Sequence, residues 1–252
     1  MLFVIDIGNT NTVLGVYQND QLTHSWRVKT ERQTTEDEFH IQVSNLFMFA
    51  KIALGDIEHT VASCVVPPMI GILDAFCVKY LNHSPFWVNA KNVSIPICLK
   101  NPDEVGADRL VNAIAAINKY DGNLIVIDFG TATTFDCISS KGEYLGGAIS
   151  PGIMIASEAL FMNASKLPRV DIYQPPKNII GKDTAESIQS GIIFGYAGLV
   201  DGIVKRISLE MDSPTIIATG GLAPLMANVS QCIEQVEPDL TLEGLRLIAQ
   251  NK

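Results

Sequence analysis

One short pattern occurs twice in this chain, almost half its length apart. Near the N-terminus the sequence reads LFVIDIGNTNTV, residues 2–13, and in the middle it reads LIVIDFGTATTF, residues 124–135. Each copy is an apolar run ending in Asp-x-Gly, followed at once by a cluster of Thr, Asn and Ala. In alignment Asp6 falls on Asp128, Gly8 on Gly130, Thr10 on Ala132 and Thr12 on Thr134. A buried strand that ends this way delivers a carboxylate to its tip, and the glycine lets the backbone turn closely around an anion. One such turn is ordinary strand-end chemistry. Two aligned copies predict two similar lobes with a phosphate-handling cleft between them.

The 252 residues allow one large domain or two small ones, and at 47% hydrophobic and 18% charged there is apolar material for one or two cores. The formal net charge of -9 argues against a nucleic acid or an anionic membrane as partner, since both require a basic face. A small anion held by a few local groups is not excluded by it. Asp6 interrupts the first apolar run and no basic region precedes it, so no signal peptide is expected. The apolar segment 192–200 is short and is followed by Asp201, so no membrane span is expected either. Cys64, Cys77, Cys98, Cys137 and Cys232 are scattered and odd in number, which reads as reduced thiols in a cytoplasmic protein. Neither they nor His24, His40, His59 and His83 have the spacing of a zinc site.

Period and punctuation predict strands at 2–7, 12–18 and 22–29, with Asn19-Asp20 as a hairpin turn. A helix over about 35–52 follows, capped by Thr34 or Thr35 with Glu36, Asp37 and Glu38 in its first turn. Then come a strand at 59–66, a helix from Pro67-Pro68 to about Tyr80, a short strand at 85–89 and a helix at 107–119. The second half predicts strands at 123–129, 133–139 and 142–149, a helix from Pro151-Gly152 to about Met162, and a long helix from Thr184 to about Leu209. It closes with a strand at 215–221, a helix from Leu222, a short strand near 232–237 and a terminal helix at 241–250. Both halves read β-β-β-α-β-α-β-α. The fold class is α/β with two lobes, 1–119 and 120–252, divided near Tyr120-Asp121-Gly122.

Phosphoryl transfer needs amides around phosphates, a carboxylate for the metal ion and a group that orients the acceptor. The segment from Asp6 to Val13 can supply the cradle and the metal carboxylate, and Asp128 to Thr134 a further carboxylate and more hydroxyls. No Walker motif and no G-x-G-x-x-G is present, so P-loop and dinucleotide readings fail. Gly106-Ala107-Asp108-Arg109 opens a predicted helix, where free amides attract anions. There Arg109 offers a fork of donors and Asp108 can accept a proton from a hydroxyl. Asp108 as a plain helix cap beside a solvated Arg109 is the structural alternative. Thr219-Gly220-Gly221 ends a strand where a flat ligand can lie against backbone. Gly191, Gly195, Gly198 and Gly202 share one face of the long helix, suited to close packing inside a lobe or between subunits.

These segments resemble type III pantothenate kinase along the whole chain. The resemblance is carried by DIGNTNTV (6–13), NPDEVGADR (101–109), IDFGTATTFD (127–136), GGAISPGI (146–153), GKDTAESIQSG (181–191) and TGGLA (219–223), in this order. It implies two ribonuclease H-like lobes of the superfamily of actin, sugar kinases and heat-shock chaperones, and ATP-dependent phosphorylation of pantothenate on the route to coenzyme A. It implies ATP binding by Asp6, Ile7, Gly8, Asn9, Thr10, Asn11, Thr12, Val13 and Thr131, with magnesium accompanying ATP at Asp6. Gly106, Ala107, Asp108 and Arg109 would bind pantothenate, with Asp108 as the base and Thr184 completing the site. Asp128 would hold a monovalent cation, potassium or ammonium, and the protein would be a homodimer. One position departs from the family pattern: a tyrosine common seven residues before the glycine of GADR is Leu99 here, which keeps an apolar contact and loses a hydroxyl. Another small-molecule kinase of the superfamily, a regulatory accessory protein, and an ATP-driven chaperone or filament protein are the competing classes. The GADR segment, the retained aspartates and the short length argue against them in turn.

Overall fold

The structure, a computed structural model, describes residues 1–250, and these form two compact units. The first comprises residues 1–95, 100–115 and the C-terminal stretch from Leu240; the second comprises 96–99 and 116–239. Among the described residues there are ten strands and seven α-helices.

In the first unit β1 (Leu2–Ile7), β2 (Asn11–Gln18) and β3 (Gln21–Lys29) form an antiparallel meander, and β4 (His59–Cys64) and β5 (Phe86–Trp87) run parallel to β1. The sheet order is β3-β2-β1-β4-β5. The β2–β3 turn places Asn19 at a positive φ of 54°, a backbone region that asparagine tolerates. Helix α1 (Glu36–Ala50) starts from a capping box. The Thr35 hydroxyl accepts the Glu38 amide at 3.2 Å, while the Glu38 carboxylate accepts the Thr35 amide at 2.9 Å. Helix α2 (Pro68–Phe76) gives way to a π-helical turn over Cys77–Leu81, where a single α-helix was expected, and Asn82 at φ 60° ends it. Phe39, Val43 and Phe47 of α1 and Met69, Leu73 and Phe76 of α2 pack with Phe3, Ile5 and Ile7 of β1 in one core.

The opposite face of β1 carries the largest departure from the expected organisation. The terminal helix α7 (Leu240–Gln250) belongs to the first unit, not to a C-terminal lobe beginning at residue 120. Its Leu242, Leu245 and Ile248 join Val4, Val61 and Val111 in a second core, each side chain contributing about 1.5–3 kcal/mol when fully buried. Gly244 lies against the helix that carries Val111, since a Cβ at Gly244 would stand 2.1 Å from the Val111 carbonyl oxygen. The Thr241 hydroxyl donates to Asn112 Oδ1 at 2.7 Å, and buried Arg246 binds Asp20 at 2.9 Å and Glu243. That partner helix is α3 (Ala107–Lys119), whose last residues, Ala116–Lys119, count with the second unit.

The second unit repeats the sheet. β6 (Leu124–Phe129), β7 (Ala132–Ile138) and β8 (Tyr144–Pro151) form the meander, and β9 (Thr215–Thr219) and β10 (Gln235–Val236) run parallel to β6. The order β8-β7-β6-β9-β10 is that of the first sheet. Helices α4 (Ile153–Asn163), α5 (Thr184–Ile207) and α6 (Ala223–Ala227) complete it. Helix α5 buries Ile193, Tyr196, Ala197, Val200 and Val204 in the core under Ile125, Ile127 and Phe129. By length and composition α5 is apolar enough to cross a membrane, contrary to the expectation that no segment reaches that size. Asp201 lies within the helix, as the expected range requires, without ending its apolar character, and the Ile193–Val204 face is taken up by the core.

Candidate functional site

The strand β1 ends at Asp6-Ile7, and residues 8–10 turn the chain into β2. The Gly8 amide donates to the Asn11 carbonyl at 3.0 Å, and a Cβ at Gly8 would stand 3.0 Å from that same oxygen, so the turn is tight enough to favour glycine. Asn9 and Thr10 are exposed and Asn11 is half-buried. Ile7, Thr12 and Val13 face inward. Ile7 is a core residue, Val13 packs against the second core, and the buried Thr12 hydroxyl pairs with Thr30 Oγ1 at 3.0 Å. Thr30, which sequence reasoning passed over, donates from its hydroxyl to the Gly8 carbonyl at 2.7 Å and from its amide to the Thr10 carbonyl at 3.0 Å. It therefore braces the turn from β3's end, while Arg32 donates to Asn9 Oδ1 at 2.9 Å.

Asp6 is held by Ser63. The two are paired residues of neighbouring strands, and the buried Ser63 hydroxyl donates to Asp6 Oδ1 at 2.7 Å. Burial and the nearby negative charge of Asp108 push the Asp6 carboxyl from 3.8 up to about 7; the Ser63 hydrogen bond and the charge of Arg27 oppose this. Asp108 is the second residue of α3, inside the helix and not at its N-cap position, and its Oδ1 accepts the Arg109 amide at 2.8 Å. Its pKa is raised by burial and pulled down by the Arg109 amide and guanidinium. Gly106 leaves room for this placement: a Cβ there would come within 2.5 Å of Asp108 Oδ1 and would displace that carboxylate. The first unit thus brings together two carboxylates from strand end and helix start, each within electrostatic reach of the other.

The same unit holds a cleft of about 650 Å³, lined by Gly106 and Ala107, which directly precede Asp108, and by Cys64, Val65 and Trp87 among others. Cys64 is a neutral wall there: burial is the main cause raising its thiol, and its Sγ donates to the Val66 carbonyl at 3.2 Å. Among the described residues, no group of three or more His, Cys, Asp or Glu side chains is placed to hold a metal ion. The chemistry left for cations is that of one carboxylate joined by phosphate, carbonyl or water oxygens.

Leu99, Asp128, Thr131 and Thr184 lie in the second unit. Asp128 lies at the end of β6 as Asp6 does in β1, and the Gly130 amide donates to the Ala132 carbonyl at 3.1 Å. This turn is one residue shorter than the Gly8 turn, so Asp128 pairs with Thr134 where Asp6 pairs with Val13, and the counterpart of Thr12 is Thr133, not the Thr134 of the sequence alignment. Gly220 has φ of 89°, and a Cβ on it would meet Asp128 Oδ1 at 2.5 Å. Thr131 is exposed in the turn, and its carbonyl accepts the Gly152 amide at 3.2 Å. Leu99 is not brought near this turn. It packs against Gly146, the strand partner of Cys137 at the far end of β7. Thr184 is exposed at the start of α5, capped by Asp183 through the Glu186 amide at 2.8 Å, and lines a second cleft of about 580 Å³ with Leu160 and Lys182. The glycine face of α5 does not pack within the chain: among the described residues nothing comes within 4 Å of a Cβ at Gly191, Gly195 or Gly198.

Comparison with known proteins adds to this geometry. A protein family described as type III pantothenate kinase matches residues 2–206. A type III pantothenate kinase of Desulfatibacillum aliphaticivorans is 64% identical over 250 residues, covering 98% of this chain and 97% of its own. One from Desulforapulum autotrophicum is 59% identical over 252 residues, covering 99% and 96%. Among solved structures, a protein described as a Baf family transcriptional activator from Campylobacter jejuni superposes with a TM-score of 0.62 at 19% identity, over 99% of this chain and 98% of that one. An inorganic polyphosphate/ATP-glucomannokinase from Arthrobacter does so with a TM-score of 0.52 at 15% identity, over 100% and 99%. At such identities the two structures speak for the fold alone, a duplicated two-lobe α/β architecture. The sequence matches run almost end to end and include both Asp-x-Gly turns, and the chain belongs to the type III pantothenate kinase family.

Proposed function

We propose that this chain transfers the γ-phosphoryl group of ATP to the primary alcohol of pantothenate, the first step towards coenzyme A. The observation that carries the reading is the meeting of Asp6 and Asp108 in the first unit, which also holds a cleft, in a chain of this family. The turn at Gly8, Asn9, Thr10 and Asn11, exposed at Asn9 and Thr10, receives the phosphates through backbone and side-chain donors, with Ile7, Thr12 and Val13 setting its shape from within. Thr131 is a further residue proposed for ATP binding. The acceptor alcohol lies on Asp108, with Gly106, Ala107 and Arg109 around it and Thr184 as a further contact.

Asp108 orients the alcohol and takes its proton as the new P–O bond forms and the bond to ADP breaks. A carboxylate of ordinary pKa, about 4, is a weak base for an alcohol, so orientation dominates its role. Burial moves Asp108 in the direction of a better base. Magnesium supplied with ATP would offset charge on the phosphates. The residues fit such an ion. Asp6 presents a carboxylate within electrostatic reach of Asp108, and burial first and that negative charge second raise its pKa, so a cation there would relieve both. Ser63 keeps one Asp6 oxygen in place for the contact, direct or through water. For a monovalent cation, Asp128 is the proposed ligand: the missing Cβ of Gly220 is what admits its Oδ1 so close to backbone. The unpacked glycine face of α5 supports a homodimer, and the reduced-thiol composition a cytoplasmic location.

A coupled ADP-release assay in potassium buffer tests the reading. ADP release should depend on pantothenate and be absent with glucose or mannose; release with a hexose and none with pantothenate would transfer the chain to another kinase class.

A further inference from the structure

Thr30 reaches the turn after β1 from just past the end of β3, although it stands 22 positions from Gly8 in the chain. It is buried there. Its amide donates to the Thr10 carbonyl at 3.0 Å, its hydroxyl donates to the Gly8 carbonyl at 2.7 Å, and its Oγ1 lies 3.0 Å from Thr12 Oγ1. A hydroxyl has one hydrogen and a carbonyl only accepts. The Thr30 hydrogen is therefore spent on Gly8, and Thr12 must be the donor of the hydroxyl pair. The chain of donors runs from Thr12 to Thr30 to the Gly8 carbonyl, and neither hydroxyl keeps a hydrogen for a phosphate oxygen.

The peptide bonds of the turn are trans, and in a trans peptide unit the C=O and the next residue's N–H point in opposite directions. Thr30 holds the Gly8 and Thr10 carbonyls on its own side, so the amides of Asn9 and Asn11 point away from it. Nothing in the turn's own residues enforces this. The close approach of the Asn11 carbonyl favours glycine at position 8, and glycine rotates freely enough for the Gly8–Asn9 peptide to flip. A flipped peptide presents a carbonyl where an amide stood, and so repels a phosphate that the amide would bind. Arg32 secures only the side chain of Asn9, at 2.9 Å. We infer that Thr30 is a positioning residue for the nucleotide, its hydroxyl locking the Gly8–Asn9 peptide with the amide turned towards the phosphates. The inference rests on the ATP reading of this turn given above. Thr12 supports the lock from behind and does not itself touch phosphate.

The test titrates the full-length protein with magnesium-ATP and, separately, with adenosine, both without acceptor. Thr30→Val keeps the outline of the side chain and removes the hydroxyl. It should weaken ATP binding about five- to tenfold, the worth of one hydrogen bond, and leave adenosine within about twofold. Thr30→Ser keeps the hydroxyl and should bind ATP within about twofold of the wild type. Thr12→Val leaves the bond from Thr30 to Gly8 in place and should weaken ATP only about two- to threefold. A Thr12 hydroxyl that bound phosphate directly would reverse the order of the two valine variants. Where Thr30→Val does not fold, Thr30→Ala gives the same comparison. Equal losses for ATP and adenosine, a larger loss in Thr12→Val than in Thr30→Val, wild-type ATP affinity in Thr30→Val, or no ATP binding by the wild type would overturn the assignment. In the ADP-release assay Thr30→Val should raise the KM for ATP by the same factor and leave the KM for pantothenate unmoved. Wild-type protein that binds ATP but shows no pantothenate-dependent release would overturn the acceptor reading alone, since the titration needs no acceptor.

Discussion

The two Asp-x-Gly turns share sequence and sheet order, though the second hairpin is one residue shorter, and their carboxylates live in different company. Asp6 pairs across the parallel strands with Ser63, and Asp128 pairs at the equivalent place with Thr219. Both partners carry a hydroxyl. Ser63 spends its hydroxyl on Asp6 at 2.7 Å, whereas Thr219 donates to the Glu237 carbonyl at 2.7 Å. Asp6 also feels the charge of Asp108, while Asp128 lies against the positive-φ Gly220. A duplicated scaffold thus supplies two carboxylates at matching strand ends, and the unduplicated surroundings set what each can do. In the proposed reading the first serves the magnesium that accompanies ATP, and the second a monovalent cation.

The sharpest break in this comparison comes from Asp108, the group that has no counterpart in the second copy. Asp108→Asn should lower turnover by about two to four orders of magnitude, the usual range for a positioned acid–base group, with nucleotide affinity retained. Near-normal turnover would reduce Asp108 to an acidic residue in the first turn of α3.

Asp6 should reveal its burden through stability. Its carboxyl binds a proton more tightly folded, near 7, than unfolded, near 3.9, so the unfolded chain holds fewer protons between those values. Stability of the ligand-free protein should therefore fall as pH rises through that window. Asp6→Asn should remove the fall and stabilise the protein by up to about 4 kcal/mol at pH 8, measured by denaturant unfolding, while losing activity. A variant no more stable than wild type would contradict the charge crowding ascribed to Asp6.

The paired hydroxyls separate the two copies more finely. Ser63→Ala leaves Asp6 without its donor and should cost about tenfold in turnover, in line with a lost hydrogen bond to a charged group at 1.5–3 kcal/mol. Thr219→Ala removes a loop contact and should leave turnover within about threefold, the effect of an ordinary hydrogen bond. Equal losses would mean that the copies had not diverged. Smallest is the effect expected at Asp128. Replacing potassium by sodium should slow the reaction a few-fold through this residue, and Asp128→Asn should abolish the difference. Indifference of the wild type to the cation would remove the cation role.

The duplicated sheet was legible because period-2 burial, paired Asp-x-Gly turns and proline punctuation recur in both halves. Helix ends at Thr35, Pro68 and Ala107 were equally legible from local capping chemistry. The return of α7 to the first unit was not, because its Leu242, Leu245 and Ile248 would fit any apolar face. Only the close approach at Gly244 and the Arg246 ion pairs choose one. The π-helical turn at Cys77–Leu81 likewise has no local sequence mark. At the site, Asp6, Gly8, Gly106 and Asp108 were readable because motif chemistry is local. Ser63 and Thr30 were not, since their roles arise from strand pairing with residues 57 and 22 positions away. Extending the repeat to the parallel strands, Ser63 opposite Asp6 and Thr219 opposite Asp128, would have found the first. Thr12 shows the reverse: its hydroxyl fits a phosphate-binding motif in sequence, but strand alternation turns it inward to Thr30.

The most direct measurement is pantothenate-dependent ADP release by the wild-type protein and by Asp108→Asn, side by side in potassium buffer with magnesium and ATP. The account predicts steady release by the wild type only when pantothenate is present, and a loss of about a hundredfold or more in the variant despite native-like nucleotide binding. Equal release by both proteins would contradict it.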